Sequence, residues 1–192
     1  MSRAIGFELT PDERLERWRP VVHWTAGLPL ALAALVLVPV AVGLAIVGAA
    51  TVLTTGRWTD HPALRLVGIH RFQYRVATYL VLVRRQRPSW TLTPTYDDPG
   101  GDPLRFDVPR PDPAHRWVPL ARGVLGLPRV VVIAVLSIGG VFAVIVGAVS
   151  IVVRGRWPHG LADFVVAVAR CQAQVVAFVE SMVDHVPRLV GP

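Results

Sequence analysis

The residues of this chain with the most chemical potential are arginines set in apolar surroundings. At helical spacing Arg71, Tyr74, Arg75 and Thr78 form one polar stripe, and Asp163, Arg170, Gln174 and Ser181 form another. A guanidinium is permanently charged and carries five donors, so it can hold phosphate, carboxylate or carbonyl oxygens. Catalysis would need more: a nucleophile beside a base, paired carboxylates or a metal cluster. The six histidines (His23, His61, His70, His115, His159 and His185) are scattered, and no two have metal-ligand spacing with a third partner. Asp97, Asp98, Asp102 and Asp107 fall in a turn-rich segment and read as solvated linker charges. The single cysteine, Cys171, excludes an intramolecular disulfide. The expectation is a protein that is not an enzyme, with no metal, no cofactor and no catalytic residue. Its candidate lipid- or partner-binding residues are Arg57, Trp58, Arg71, Arg75, Arg156, Trp157, Arg170 and Gln174.

The elements that must position these residues are set by composition. Hydrophobic residues make up 53% of the 192, charged residues only 17%, and mean hydropathy is +0.48; an ordinary soluble domain is far more polar. Residues 24–55 carry no charge, nor do residues 130–153. Either run is long enough to cross a hydrocarbon core, which takes about 20 apolar residues. The net charge of +7 comes from arginine alone, since no lysine is present. A basic, apolar chain points to anionic membrane headgroups and not to nucleic acid. Some twenty residues, four of them acidic, precede the first apolar run, which is too long for a signal peptide and is read as a retained anchor.

The chain also resembles itself. Shifted by 99 residues, Phe7, Trp18, Pro29, Gly48, Gly56, Arg57, Trp58, Arg71 and Pro88 fall on Phe106, Trp117, Pro128, Gly147, Gly155, Arg156, Trp157, Arg170 and Pro187. This predicts a tandem repeat, with a first copy over residues 1–88, a linker over 89–103 and a second copy over 104–192. The fold class is mainly α and integral to a membrane. Each copy is expected to hold a short strand (4–9 and 104–108), a long apolar transmembrane helix and a second, amphipathic membrane helix (62–83 and 161–183), four membrane helices in all. The linker has room for a small strand around residues 90–96. In the apolar helices Ala41, Ala45 and Ala49, and Gly139, Ala143 and Gly147, recur at four-residue spacing and predict close helix packing. Gly-Arg-Trp follows each helix as a turn with an interfacial anchor.

Three topologies compete. One crossing per copy would split the arginines between both sides and offend the positive-inside rule. Two crossings per copy gather Arg3, Arg14, the Arg84–Arg87 cluster, Arg105 and Arg188 on the cytoplasmic side with both termini. Hairpins dipping in from one side, with amphipathic helices lying flat, satisfy the rule too. Four spans bring Arg71 and Arg170 near mid-membrane, where a charge costs roughly 3 kcal/mol on insertion scales. Arg71 has no acid on its own helix or the apolar one, so it must meet water, lipid phosphate, a carbonyl or another chain.

The sequence from Leu104-Arg-Phe-Asp-Val-Pro through Arg116-Trp, Leu127-Pro, Arg154-Gly-Arg-Trp-Pro-His-Gly-Leu and Asp163-Phe-Val-Val resembles a bacterial membrane family, domain of unknown function 4389. The first half resembles it more loosely, with Thr55-Gly-Arg-Trp-Thr-Asp-His where the second has Pro and Gly. The resemblance implies a helical membrane unit, repeated, in the bacterial cytoplasmic (inner) membrane, and carries no site residues. The functional expectation is an accessory or scaffold subunit, or a membrane-organising protein, acting through lipid contacts and a membrane-protein partner or homo-oligomer. An oligomeric anion channel or transporter component lined by the arginine stripes is the alternative.

Overall fold

The computed structural model describes residues 5–111 and 115–183; expectations for Arg3, His185, Pro187 and Arg188 lie outside them. The chain runs β1 (Gly6–Glu8), α1 (Arg19–Thr55), α2 (Asp60–Leu80), β2 (Arg105–Asp107), α3 (Val118–Arg154) and α4 (Leu161–Val179). The mainly helical class and the two short strands agree with the sequence reading. The strand around residues 90–96 does not form. The carbonyls of Thr93 and Thr95 accept hydrogen bonds from an arginine there, not from a neighbouring strand.

α1 and α3 are both 37 residues long and begin 99 positions apart. Each starts with a proline in its first turn, where the missing N–H has no helical partner to lose. Each ends at a glycine in the left-handed region, Gly56 (φ 72°) and Gly155 (φ 70°), which caps the helix by returning its N–H to Val52 or Ile151. The chain then reverses, and α2 and α4 pack back along α1 and α3. At the turn the Trp58 ring lies on Gly48 and the Trp157 ring on Gly147, so close that a Cβ at either glycine would sit inside the indole. At the far end Leu80 reaches Gly27 and Val179 reaches Gly126. Beyond α2 and α4, Leu82 (φ 64°) and Ser181 (φ 60°) both take the left-handed conformation.

The two halves meet through an antiparallel ribbon. Phe7 lies opposite Phe106, with Gly6 opposite Asp107 and Glu8 opposite Arg105. The 99-residue partners therefore face each other at the centre of the pairing. Tyr74 joins the two phenylalanines, with ring centroids 5.9 and 5.3 Å away. The result is three layers. Long apolar helices lie outermost, α2 and α4 in the middle, and the ribbon with the segment between the halves lies on the other side. Leu30 of α1 packs with Phe72 and Val76 of α2, while Gly68 and Arg71, on the adjoining flank of α2, meet residues 93–106, and Trp90 lies by Phe72.

Three helices, α1, α3 and α4, are long and apolar enough to cross a membrane. α2 is not among them. Its 21 residues include Asp60, Arg65, Arg71 and Arg75, a charge load that its aqueous-type partners accommodate and lipid would not. The predicted small-residue faces are unevenly used. Ala41, Ala143 and Gly147 are buried, Ala45, Ala49 and Gly139 half-buried. Gly147 receives the Trp157 ring and not a helix backbone, while Gly139 lies within reach of the Phe164 ring.

Candidate functional site

The densest polar constellation lies between α2 and the segment that follows it. Arg71 is 1% exposed and spends its donors on carbonyls: Nη1 on Thr93 (2.9 Å), Nη2 on Thr95 (2.9 Å), and Nε and Nη2 on Phe106 (3.2 and 3.1 Å). Its Nε also lies 3.3 Å from the Asp98 carboxylate. One turn on, Arg75 Nη2 donates to both oxygens of Asp98 at 2.9 Å. Arg75 Nε lies 3.5 Å from Asp102 but makes no hydrogen bond. Arg84 then grips Asp102 with both terminal nitrogens, at 2.6 and 2.9 Å, a fork-on-fork pairing.

Asp98 is the centre of this layer. It accepts the backbone N–H of Phe106 (3.0 Å) and of Gly100 (2.8 Å) besides its arginines. Burial pushes its pKa up, but the two N–H groups and the Arg75 and Arg71 charges outweigh that and hold it below the usual carboxylate range. The layer is thus three cations on two carboxylates, with the surplus charge dispersed over carbonyls. Buried ion pairs of this kind persist when every remaining donor is satisfied. These contacts of Arg71 and Arg75 run to carbonyls and carboxylates of residues 93–106, so the layer holds a backbone segment on a helix. It is not shaped as a ligand site.

These contacts revise the reading of Arg71 and Arg75 as lipid or partner contacts: the Arg71 nitrogens and Arg75 Nη2 donate inside the chain, and the buried Arg75 Nε faces Asp102 without a hydrogen bond. Arg71 meets carbonyls, one of the allowed outcomes, and also an acid supplied by the linker. Arg170, its counterpart 99 residues on, differs. It is exposed and donates from Nε to the Phe7 carbonyl at 3.2 Å. No ion pair joins it to Asp163 among the described residues. Gln174 is half-buried.

At the turns, Arg57 and Arg156 are both exposed. Trp157 is buried and donates its Nε1 to Leu82 of the other half at 2.9 Å, while the buried Trp58 Nε1 has no acceptor. So Trp157 is an inter-half anchor and not an interfacial residue, because the chain from Glu13 to Leu15 crosses over it. Trp157 N–H reaches the Glu13 carbonyl, and Leu15 N–H that of Gly155.

Three further residues escaped the sequence reading. Asp98 and Asp102, which read as solvated linker charges, are the counter-ions of the stripe. Glu180 bonds His70 across the halves, with His70 Nε2 2.9 Å from its carboxylate. Burial lowers the His70 pKa, yet the Glu180 carboxylate overcomes it and the net shift is upward. A signal for the first two was present: Arg71 and Arg75 have no acid within two turns on α2, and a segment rich in aspartate follows. No group of three metal-ligating side chains exists among the described residues.

Residues 117–189 match a protein family described as "Domain of unknown function (DUF4389)". The matched span covers α3, the Gly-Arg-Trp turn and α4. No curated protein and no solved structure matches the chain.

Proposed function

We propose that this is a non-enzymatic membrane protein built from two copies of one helical unit, serving as an accessory or scaffold subunit in a bacterial cytoplasmic membrane, with both termini on the cytoplasmic side. Duplication is supported by the recurrence of the glycine caps, the tryptophan-on-glycine contacts and the left-handed residues at an offset of 99. The halves are also self-complementary in the manner of a twofold dimer. Arg71 bonds the Phe106 carbonyl of the second half, and Arg170 bonds the Phe7 carbonyl of the first.

The observation that carries the scaffold reading is the direction of the Arg71 and Arg75 donors. A conduit lined by them would need guanidinium groups facing a lumen, and these face Asp98, Thr93, Thr95 and Phe106. Arg57 and Arg156, exposed at the ends of α1 and α3, remain available for anionic headgroups. Extraction in mild detergent followed by size-exclusion chromatography and lipid analysis tests the reading. A membrane-protein partner, a homo-oligomer or retained anionic lipid is expected. A chain eluting as a bare monomer without lipid removes the scaffold role, and chloride flux through reconstituted vesicles that falls in Arg170→Gln restores the conduit.

A further inference from the structure

We infer that the protein lies flat on one side of the bilayer, with α1 and α3 in the plane of a single leaflet and the ribbon layer in water. This rests on the membrane reading above and goes beyond it, because length and composition alone allow α1, α3 and α4 to cross.

The argument is one of layer against height. α1 uses a narrow stripe (His23, Gly27, Leu30, Ala41, Gly48, Val52) to meet its neighbours, and the rest of its circumference is apolar and exposed. α3 is the same, with Val124, Val131, Val135, Phe142 and Val149 outward. The polar layer lies along the flank of α2 that carries Gly68, Arg71 and Arg75, and follows the helix from end to end. At one end the Tyr96 hydroxyl donates to Asp60 (3.1 Å) and Arg110 pairs with the same carboxylate. In the middle Thr93 packs on Gly68 and Arg71. At the other end Asp102 holds Arg84. A 21-residue helix spans about 31 Å, the height of a hydrocarbon core of about 30 Å.

Were the α1–α2 hairpin upright, this irregular segment would stand beside it through the whole membrane. Outside β2 its backbone lacks a ladder, and Asp97, Arg105 and Arg110 are exposed on it. Irregular backbone and free charges do not face lipid. Rotating the assembly so that α1 and α3 lie horizontal removes the conflict: every apolar face then points into the leaflet and every exposed linker charge into water. Trp18 and Trp117, exposed at the starts of α1 and α3, then sit at headgroup depth.

The test uses the full chain with Cys171→Ser in phosphatidylethanolamine–phosphatidylglycerol vesicles. Nitroxides are attached after Leu28→Cys, Leu35→Cys and Ile46→Cys, three exposed positions on one line along α1. A membrane-impermeant maleimide probes Thr59→Cys, Thr91→Cys and His159→Cys, all exposed. Flat binding predicts one common depth for the three nitroxides and labelling of all three cysteines from one side. A deep Leu35 position flanked by shallow Leu28 and Ile46 positions overturns it, as does Thr59 protected where Thr91 reacts. A chain that floats with the vesicles yet shows graded depth defeats only the flat pose; one that fails to float defeats the membrane reading as well.

Discussion

Arg71 and Arg170 occupy the same place in two similar helical hairpins and meet opposite surroundings. Both bond the carbonyl of the phenylalanine at the centre of the other half's strand. Around Arg71 the segment from residue 88 to 108 folds over the helix and adds Thr93, Thr95 and Asp98. Around Arg170 no such segment is packed among the described residues, and the side chain is exposed. One hairpin thus carries a locked polar layer, and the other presents the same arginine to its surroundings. A like pair of positions shows the same drift: His23 stacks on Tyr79 at 4.2 Å, while Arg122 lies over the Phe178 ring at 5.7 Å. The backbone is held in common and the side-chain chemistry is not.

The sharpest way to break this contrast is to remove each arginine. Arg71→Ala leaves Asp98 short of a partner and takes a donor from each of the Thr93, Thr95 and Phe106 carbonyls, and should cost about 3–5 kcal/mol in detergent unfolding. Arg170→Ala should cost about 1 kcal/mol, the scale of a single hydrogen bond. Equal losses would mean that the linker adds nothing to Arg71. Second in size, Gly48→Ala and Gly147→Ala each force an indole out of its seat, for about 1–3 kcal/mol. Here the halves should respond alike, because the geometry is shared; a large difference in melting temperature would show that it is not.

The tryptophans should diverge again. Trp157→Phe strands the Leu82 carbonyl and should cost about 1–2 kcal/mol, whereas Trp58→Phe removes a donor that has no acceptor and should be near neutral. Thermal denaturation of the two variants side by side checks this. The smallest effect is pH-dependent. His70 is raised above its ordinary 6.5 by Glu180, so the pair's stabilisation is fully present below about that pH and is lost as pH rises through the higher folded value. The melting temperature of Glu180→Gln, subtracted from wild type, should therefore converge with it towards alkaline pH.

Much of the fold was legible because its signals are local. An unbroken apolar run ended by a glycine specifies the bodies of α1 and α3 whatever surrounds them. Both helices, however, start upstream of those runs, among charged residues such as Arg19, Arg122 and Arg129, and hold Pro29 and Pro128 inside. The short strands were legible from alternation, but their pairing with each other was not, because the two segments lie far apart along the chain. The candidate site was legible only by half. The stripe marked Arg71 and Arg75 as unusual, but their partners sit some 22 to 35 residues away, on a segment whose aspartates look like any solvated turn. Trp157 misled for the same reason: nothing near it in sequence says that residues 13–15 of the other half will cover it.

What the sequence determined by itself is therefore periodicity and hydropathy: two similar halves, two long apolar helices, amphipathic helices beside them and an arginine surplus. These follow from spacing along the chain and need no knowledge of what packs where. Tertiary structure alone decided which charges meet. Ion pairing and burial depend on through-space distance, and only the folded chain brings Asp98 to Arg71 and Glu180 to His70. It also decided that the segment between the halves packs along α2.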